Sequence, residues 1–397
     1  MSHSYPVVPL GHVASPVERP NAPIPGTLYR QVGVRLWGQG AYERESIDGG
    51  QTKYKTLSRV EANDIIVNKI WARNGSVAVV PGELSGCYVS GEFPTFTPVE
   101  GELAPDWFHW LTKTRALWNQ CDEKSRGTSG KNRIRSEQFL SITIPLPPVD
   151  EQRRIVARIE ELAAKIEEAR ELRRQSSSEA QQLFMATADA EMNRLAKDYP
   201  TAKVSDIEDL VTSGPRNFGS RYTQSGPRFY RAQDISPSGR VTDDNIVQVE
   251  IPEGMSTRAV VREGDVLVVI TGATIGRSAV ITPHLPAGLV SQHVGLIRVD
   301  RAKVEPQFLQ YAMLSPAWAG GQLDEVKYGQ GKPGLNLNNL RSLAFPLPPL
   351  YEQQQVVTHL NDLQAWVDVL TQLQVETAAE LDALLPSVLD RAFSGEL

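Results

Sequence analysis

One part of the sequence holds residue types that metal-dependent cleavage of DNA requires. Asp106 follows a proline and precedes Asp122 and Lys124, and carboxylates in this loose pattern hold Mg²⁺ in nucleases. The pattern is short and permissive, and the matching position in the second half of the chain is Gln307, which cannot replace the carboxylate. A nuclease built on these residues is therefore kept only as an alternative hypothesis.

Other catalytic motifs are missing from the sequence. Lys332 follows a glycine but precedes Pro333, so the segment does not match a nucleotide-binding phosphate loop. No His-Glu-x-x-His or Asn/Asp-Pro-Pro-aromatic motif occurs, and the six histidines are scattered. The two cysteines, Cys87 and Cys121, form no Cys-x-x-Cys pair, which argues against a zinc ribbon or disulfide framework and fits a reducing compartment. We expect no catalytic residue and no bound metal.

Basic residues interleaved with aromatic ones favour a nucleic-acid ligand. Between Val211 and Gln233 the chain has four arginines and four phenylalanines or tyrosines, with no acid. Arginine reads guanine edges and clamps phosphates, and lysines next to glycine can follow a phosphate backbone. Singly, each is more typical of a solvated surface charge, but basic residues recur in both halves of the chain. The residues predicted to contact DNA are Lys69, Arg73, Lys131, Arg133, Arg135, Arg216, Arg221, Arg228, Tyr230, Arg277, Lys327 and Lys332.

The chain contains an internal duplication. Pro-Leu-Pro-Pro-x-x-Glu-Gln occurs at 145–152 and again at 346–353, an offset of 201 residues. From Ile144 to Leu162, 8 of 19 positions are identical to their counterparts, whereas average composition gives roughly one identity by chance. The prolines could form a polyproline ligand, but their position before a helical pattern favours a structural junction.

Each copy of this motif opens a long helix with an apolar stripe. The stripe repeats every three or four residues, which is typical of a coiled coil. The residues predicted to form the coiled coil, or an interface between subunits, are Ile155, Ile159, Leu162, Ile166, Val356, Leu360, Leu363 and Val367. In both helices the stripe continues for two more residues, to Leu172 and Leu373.

The regions before the helices are predicted to be β-rich. Short β-branched runs at 65–67 and 77–80 read as strands separated by a turn at Gly75, and a helix is expected around Trp107 to Trp118. At the offset of 201, residues 264–268 match residues 63–67, which include the first run, and Gly276 matches Gly75.

These patterns predict an α+β protein with a pseudo-two-fold internal repeat. Two similar α/β domains, 1–146 and 199–347, would be separated by two long helices, 147–198 and 348–397. Since domain termini commonly lie close together, the helices could pair only as an antiparallel coiled coil. A helix of about 45 residues spans roughly 65–70 Å, so we expect a rod with one domain near each end.

The net charge of −6 is unevenly distributed. Residues 350–397 hold eight acids and one base, a balance of −7, so the remaining chain sums to +1. The global charge therefore does not exclude a nucleic-acid ligand. The first nine residues show no signal-peptide pattern, and the apolar runs are too short to cross a membrane, so a cytoplasmic protein is expected.

With these residues the chain resembles the specificity subunit of type I restriction–modification systems. The resemblance rests on the repeated Pro-Leu-Pro-Pro-x-x-Glu-Gln motif, on Gly-Asp-Val-Leu-Val…Thr-Gly-Ala-Thr-Ile-Gly-Arg at 264–277 and on Gly-x-Gly-Lys-Pro-Gly at 329–334. The first half departs from it, since Trp71-Ala72-Arg73-Asn74-Gly75-Ser76 replaces the Thr-Gly-Ala-Thr-Ile-Gly form.

The resemblance implies a non-catalytic DNA reader. Each domain would be a target-recognition domain for one half of a bipartite double-stranded DNA target, and the helices would be conserved spacers that set the half-site separation and dock two methyltransferase subunits. S-adenosylmethionine, ATP and Mg²⁺ would bind to those subunits and to motor–nuclease restriction subunits, and no cofactor would bind to this chain. A coiled-coil assembly scaffold with only non-specific DNA binding is the competing hypothesis.

Overall fold

A computed structural model describes residues 5–125, 132–254, 256–325 and 334–397. The chain divides into two compact units. Unit 1 comprises Met1–Leu172 and Glu376–Leu397, and unit 2 comprises Arg173–Val375. Within the described ranges, no helix has the length and apolar character that a membrane span needs.

Ten helices and twenty strands, numbered along the chain, make up the regular structure of the described residues. The helices are α1 (Pro105–Leu111), α2 (Arg115–Ser125), α3 (Ser136–Leu140), α4 (Val149–Asp198), α5 (Val204–Ile207), α6 (Pro306–Leu314), α7 (Ala319–Glu325), α8 (Leu337–Ser342), α9 (Leu350–Glu376) and α10 (Ala378–Ser394). The strands of unit 1 are β1 (Val7–Pro9), β2 (Ala14–Pro16), β3 (Pro20–Asn21), β4 (Leu28–Val34), β5 (Ala41–Asp48), β6 (Leu57–Arg59), β7 (Ile65–Val67), β8 (Val77–Val79), β9 (Tyr88–Val89), β10 (Thr95–Pro98) and β11 (Thr143–Pro145). Those of unit 2 are β12 (Thr201–Lys203), β13 (Glu208–Ser213), β14 (Tyr222–Tyr230), β15 (Gln248–Val249), β16 (Val266–Val269), β17 (Ser278–Val280), β18 (Gly288–Val290), β19 (Val294–Val299) and β20 (Ala344–Pro346).

The two units share the topology of two sheets and differ in the size of a third, which has five strands in unit 1 and three in unit 2. Unit 1 has an antiparallel four-stranded sheet in the order β2-β10-β7-β8, and unit 2 has the same sheet in the order β13-β19-β16-β17. A two-stranded sheet accompanies each, β1-β11 in unit 1 and β12-β20 in unit 2. The third sheet is mixed: β4 pairs in parallel with β9, and β14 pairs in parallel with β18. The predicted duplication is therefore a duplication of fold.

Strands β7 and β16 separate two hydrophobic cores in their respective units. Successive side chains of a strand point to opposite faces, and both faces are covered here. In unit 1, Ile65 and Val67 enter the core against the helices, whereas Ile66 enters the core between the sheets. Unit 2 repeats this alternation, with Val266 and Val268 on the helix side. Burial on both faces explains why these strands read as continuous apolar runs.

The turn after each of these strands requires a glycine. Gly75 has φ +72° and Gly276 has φ +92°, in the left-handed region that residues with a Cβ rarely adopt. A Cβ on Gly75 would lie 2.7 Å from the indole nitrogen of Trp118. The predicted equivalence of the two glycines is confirmed.

Long helices pair antiparallel inside each unit. In unit 1 the start of α4 meets the end of the chain, because Arg154 donates to the Leu397 carbonyl at 3.3 Å, while Arg170 bonds to Asp382 at 2.9 Å. Between these contacts, Ile155 and Ile159 of α4 share a core with Leu389 of α10.

In unit 2 the second part of α4 pairs with α9. The side chain of Gln374, near the end of α9, donates to the Arg173 carbonyl at 3.2 Å, and His359 lies 3.2 Å from Glu191. The antiparallel arrangement predicted from the stripes is confirmed in both units.

Three details of the helix predictions are wrong. The expected helix around Trp107 to Trp118 is two helices, α1 and α2. The second long helix is also divided, with α9 ending before Thr377 and α10 beginning after it. The stripes stop early, since Leu172 and Leu373 are 58% and 54% exposed. All eight residues predicted for the coiled coil are buried or half-buried in the described structure, as packing between paired helices requires.

Candidate nucleic-acid interface

The glutamine of the duplicated motif joins each domain to its helix. Gln152 is fully buried; its Oε1 accepts from the Ala104 amide at 2.8 Å, and its Nε2 donates to the carbonyls of Glu102 and Pro147, both at 2.8 Å. Since a buried amide left without partners is costly, these bonds hold the start of α4 against the loop that leads into α1.

Gln353 makes the equivalent bonds in unit 2. Its Oε1 accepts from the Glu305 amide at 2.8 Å, and its Nε2 donates to the carbonyls of Lys303 and Pro348 at 3.0 and 2.8 Å. Every partner lies 201 residues after its counterpart. The motif is therefore the structural junction that the sequence predicted, and its glutamine is the residue that makes the junction.

Four of the residues predicted to contact DNA are exposed. In unit 1 these are Arg133 and Arg135, and in unit 2 they are Arg216 and Arg221. The Arg133 guanidinium lies 3.3 Å from the Glu92 carboxylate, and that of Arg221 lies 5.8 Å from the centre of the Phe218 ring. These cations are accessible to a phosphate backbone.

Three further candidates are half-buried. Lys69 donates to the Gly91 carbonyl at 2.6 Å, and Arg277 donates to the Ile235 carbonyl at 3.3 Å, while Arg73 lies in the short helical turn before Gly75. Lys131, Lys327 and Lys332 lie outside the described residues.

The predicted DNA contacts of Arg228 and Tyr230 are contradicted by their burial. Arg228 is 2% exposed and forms an ion pair with Asp243, and Tyr230 is 1% exposed and donates to the Pro286 carbonyl at 2.6 Å. Burial raises the pKa of Tyr230 to about 12. Both side chains are inaccessible because they lie at the buried end of β14.

Each unit has a cleft where its sheets meet. The unit 1 cleft has a volume of about 270 Å³ and is lined by Pro20, Lys69, Ser90 and Gly91, among others. It is open to solvent at the edge of the mixed sheet.

The unit 2 cleft has a volume of about 300 Å³. Its lining includes Pro215, Phe218, Tyr222, Gln292 and His293. The rings of Phe218 and Phe229 stack at 5.8 Å, so one wall is aromatic. No sequence motif includes Gln292 or His293, although the match of Ser90 to Ser291 at the offset of 201 indicates this loop.

The carboxylates of the nuclease alternative do not form a metal centre in the described structure. Asp106 lies in the first turn of α1, and Asp122 and Lys124 lie in α2. Over the described ranges, no three His, Cys, Asp or Glu side chains are grouped so that they could hold a metal ion.

Two copies of one fold with different residues at their clefts define a protein with an internal duplication and two related but non-identical clefts. The chain belongs to the family of type I restriction modification DNA specificity domains, whose model matches residues 21–173 and 201–377.

Curated relatives in this family are specificity subunits. The EcoKI specificity subunit of Escherichia coli K12 is 24% identical over 306 residues, which cover 72% of this chain and 64% of the relative. The EcoBI specificity subunit of Escherichia coli is 25% identical over 292 residues, covering 66% of this chain and 60% of the relative. The matches thus span less than two thirds of the length of these relatives.

Solved structures show the same fold over the full chain. The HsdS subunit from Thermoanaerobacter tengcongensis has 25% sequence identity and a TM-score of 0.61, and the match covers 100% of this chain and 98% of that one. A chain from a structural study of complex assembly and conformational transition in the type I R-M system has 24% identity and a TM-score of 0.72, with 100% and 99% coverage.

Proposed function

We propose that this chain reads a bipartite double-stranded DNA target, with each unit recognising one half. The observation that carries the proposal is the duplication itself: the sheet order and the glutamine junction are repeated, whereas the cleft residues differ. Repeated scaffolds with different surfaces suit two half-sites of different sequence.

Exposed arginines supply the attraction to DNA in both units. Arg135 in unit 1 and Arg216 and Arg221 in unit 2 can each neutralise a phosphate and release counterions. Phosphate contacts position a protein on the duplex, and side chains in the grooves read the sequence. On this proposal the arginines position the two units on the DNA. We place this activity in the cytoplasm.

The chemistry belongs to partner subunits. Since the curated relatives are specificity subunits, we assign adenine methylation with S-adenosylmethionine to two methyltransferase subunits. Restriction, driven by ATP and dependent on Mg²⁺, is assigned to motor–nuclease subunits. This chain would direct both activities to the target without a catalytic residue of its own.

An exposed apolar stripe on α9 is the docking surface that we assign to one methyltransferase subunit. Trp366, Val369 and Leu373 are 75%, 53% and 54% exposed, and their spacing places them on one face of the helix. Exposed aromatic residues of this kind are typical anchors of protein interfaces. The equivalent positions on α4 are Lys165, Glu168 and Leu172, so the two partner subunits would meet different surfaces.

Methylome sequencing tests the proposed function. A host without other adenine methylation would express this chain together with its methyltransferase. We expect methylated adenine in one bipartite motif with a fixed spacer. A host with methylation but without a bipartite motif would contradict the proposal. Electrophoretic binding assays with scrambled competitor DNA distinguish this proposal from the scaffold alternative. A scaffold has no sequence preference, so scrambled DNA would compete as well as the target.

A further inference from the structure

The two clefts occupy equivalent places in the repeated fold. Strand pairing sets the equivalence: Ser15 of β2 lies opposite Thr97, and Leu210 of β13 lies opposite Arg298. Thr97 and Arg298 are 201 residues apart, whereas Ser15 and Leu210 are 195 apart, so the offset shortens toward the start of each unit. With this offset of 195, Pro20 of the unit 1 cleft matches Pro215 of the unit 2 cleft.

The opposite side of each cleft comes from one equivalent loop. Ser90 and Gly91 line the unit 1 cleft, and Ser291 and Gln292 line the unit 2 cleft at the offset of 201. The serines match, but the two positions after them differ, since Gly91 and Glu92 are replaced by Gln292 and His293. The loop is therefore equivalent in the two units, whereas the side chains that it places at the cleft differ.

Backbone hydrogen bonds hold the second of these positions, Glu92 or His293, in the same way in both units. The amide of Lys69 donates to the Glu92 carbonyl at 3.1 Å, and the amide of Ile270 donates to the His293 carbonyl at 2.9 Å. The carbonyls of Lys69 and Ile270 accept from Ile134 at 2.9 Å and from Leu335 at 2.8 Å. Each loop is therefore linked by backbone hydrogen bonds to the segment at Ile134 in unit 1 or at Leu335 in unit 2.

The side chains at these positions have the donors and acceptors of base readers. In unit 1 the Glu92 carboxylate lies 3.3 Å from the Arg133 guanidinium. Glutamate accepts from the cytosine amino group and arginine donates to guanine, so this pair together matches both bases of a C·G pair. In unit 2 the Gln292 amide lies 3.0 Å from the exposed His293 ring, and a glutamine amide matches the N6 and N7 edge of adenine.

We infer that positions 92 and 292–293 determine one base pair in each half of the DNA target. Glu92 with Arg133 reads a C·G pair in the first half-site, and Gln292 with His293 reads an A·T pair in the second. Phe218 and Tyr222 line the same cleft as Gln292 and His293 and can contact the methyl group of the thymine. This inference rests on the proposed function and adds the residues that determine its specificity.

Methylome sequencing of variants tests the inference. The host, expressing this chain with its methyltransferase, would carry the wild-type chain, Gln292→Ala, Glu92→Gln or the control Gln354→Ala. Gln354 is an exposed glutamine on α9, away from the cleft. We expect Gln292→Ala to relax one A·T position of the second half-site by roughly 5- to 150-fold and to leave the first half-site unchanged. Glu92→Gln should relax one C·G position of the first half-site only, and Gln354→Ala should change neither.

The outcomes separate this inference from the proposed function. If the wild-type chain gives a bipartite motif and both variants give the same motif, the inference is overturned and the proposed function stands. A wild type without a bipartite motif would overturn both. The conservative variant Gln292→Glu keeps the test valid if Gln292→Ala fails to fold. Glutamate favours cytosine over adenine, so the second half-site should then change its preferred base, and an unchanged preference would count against the inference.

Discussion

Asp64 and Asp265 are equivalent residues held by arginines from different places in the fold. Each aspartate is 1% exposed and precedes a central strand, β7 or β16. Arg19, from the start of unit 1, bonds to Asp64, whereas Arg298 of β19 forms two bonds with Asp265, at 2.8 and 2.7 Å. The position equivalent to Arg298 is Thr97, which donates to Asp64 at 3.0 Å. Each unit thus keeps a buried carboxylate satisfied, with a cation from the connection between β2 and β3 in unit 1 and from β19 in unit 2.

Removing the carboxylate of Asp265 should destabilise unit 2. Asp265→Ala leaves Arg298, whose side chain is only 17% exposed, without its counter-charge, which costs about 3–5 kcal/mol. The double variant Asp265→Ala/Arg298→Met should recover part of this loss. Urea unfolding followed by circular dichroism measures the free energies. The control is Glu263→Ala, because its ion pair with Arg301 is exposed and is worth at most about 1 kcal/mol. Equal effects of Asp265→Ala and Glu263→Ala would contradict this account.

The junction glutamines should be more important for stability than the acids beside them. Gln353→Ala removes three hydrogen bonds and leaves the Glu305 amide and the carbonyls of Lys303 and Pro348 without this partner, at a cost of about 2–4 kcal/mol. Thermal unfolding should show a midpoint lowered by roughly 4–16 °C. Asp150→Ala is the control, since Asp150 has a side chain that is 93% exposed and should shift the midpoint little. A midpoint for Gln353→Ala within 1–2 °C of the wild type would show that the junction does not depend on these bonds.

Loss of an exposed arginine should weaken DNA binding without altering specificity. Arg221→Ala removes a cation that we assign to a phosphate, so the slope of log K against log salt should fall by about 1. Fluorescence anisotropy over a series of salt concentrations measures this slope on target and scrambled DNA. Arg153→Ala serves as the control, because Arg153 is 71% exposed on α4 outside the proposed DNA surface. A loss confined to the target sequence would instead assign Arg221 to base reading.

The apolar stripe on α9 predicts a variant that folds but assembles poorly. Trp366→Glu places a charge where a partner would bury an indole, and loss of such an anchor costs about 2 kcal/mol or more in binding. Isothermal titration with the purified methyltransferase should show affinity reduced by at least roughly thirtyfold. Leu28→Ala removes a side chain that is 71% exposed in unit 1 and should leave the affinity unchanged. Wild-type affinity for Trp366→Glu would exclude this stripe as the docking surface.

The sequence predicts the repeated elements well because their signals are local and occur twice. The stripe from Ile155 to Ile166 and the buried run Ile65-Ile66-Val67 each match a counterpart at one offset. The start of the chain matches unit 2 at a different offset. Val7 pairs with Pro145 and Thr201 pairs with Pro346, so Val7 and Thr201 are equivalent although they lie 194 residues apart. A comparison of the sequence at the offset of 201 does not reveal this match. Strand pairing, not sequence identity, shows that correspondence.

Single residues whose roles depend on distant partners were harder to predict. Arg228 lies in a basic segment, but its ion pair with Asp243 and the direction of β14 place it inside unit 2. Gln152 belongs to a sequence motif, but its three hydrogen-bond partners lie 5 to 50 residues away along the chain. The break at Thr377 carries no glycine or proline signal. In each case tertiary contacts, which no local pattern contains, decide the outcome.

An exchange of recognition regions tests the central claim most directly. Residues 201–345 would be replaced by the corresponding region of another family member, and the methylated motif would be sequenced in a host that also expresses the methyltransferase. If each unit reads one half of the target, the motif should change in one half only and keep the other half. A motif altered in both halves, or unchanged in both, would contradict the assignment of one half-site to each unit.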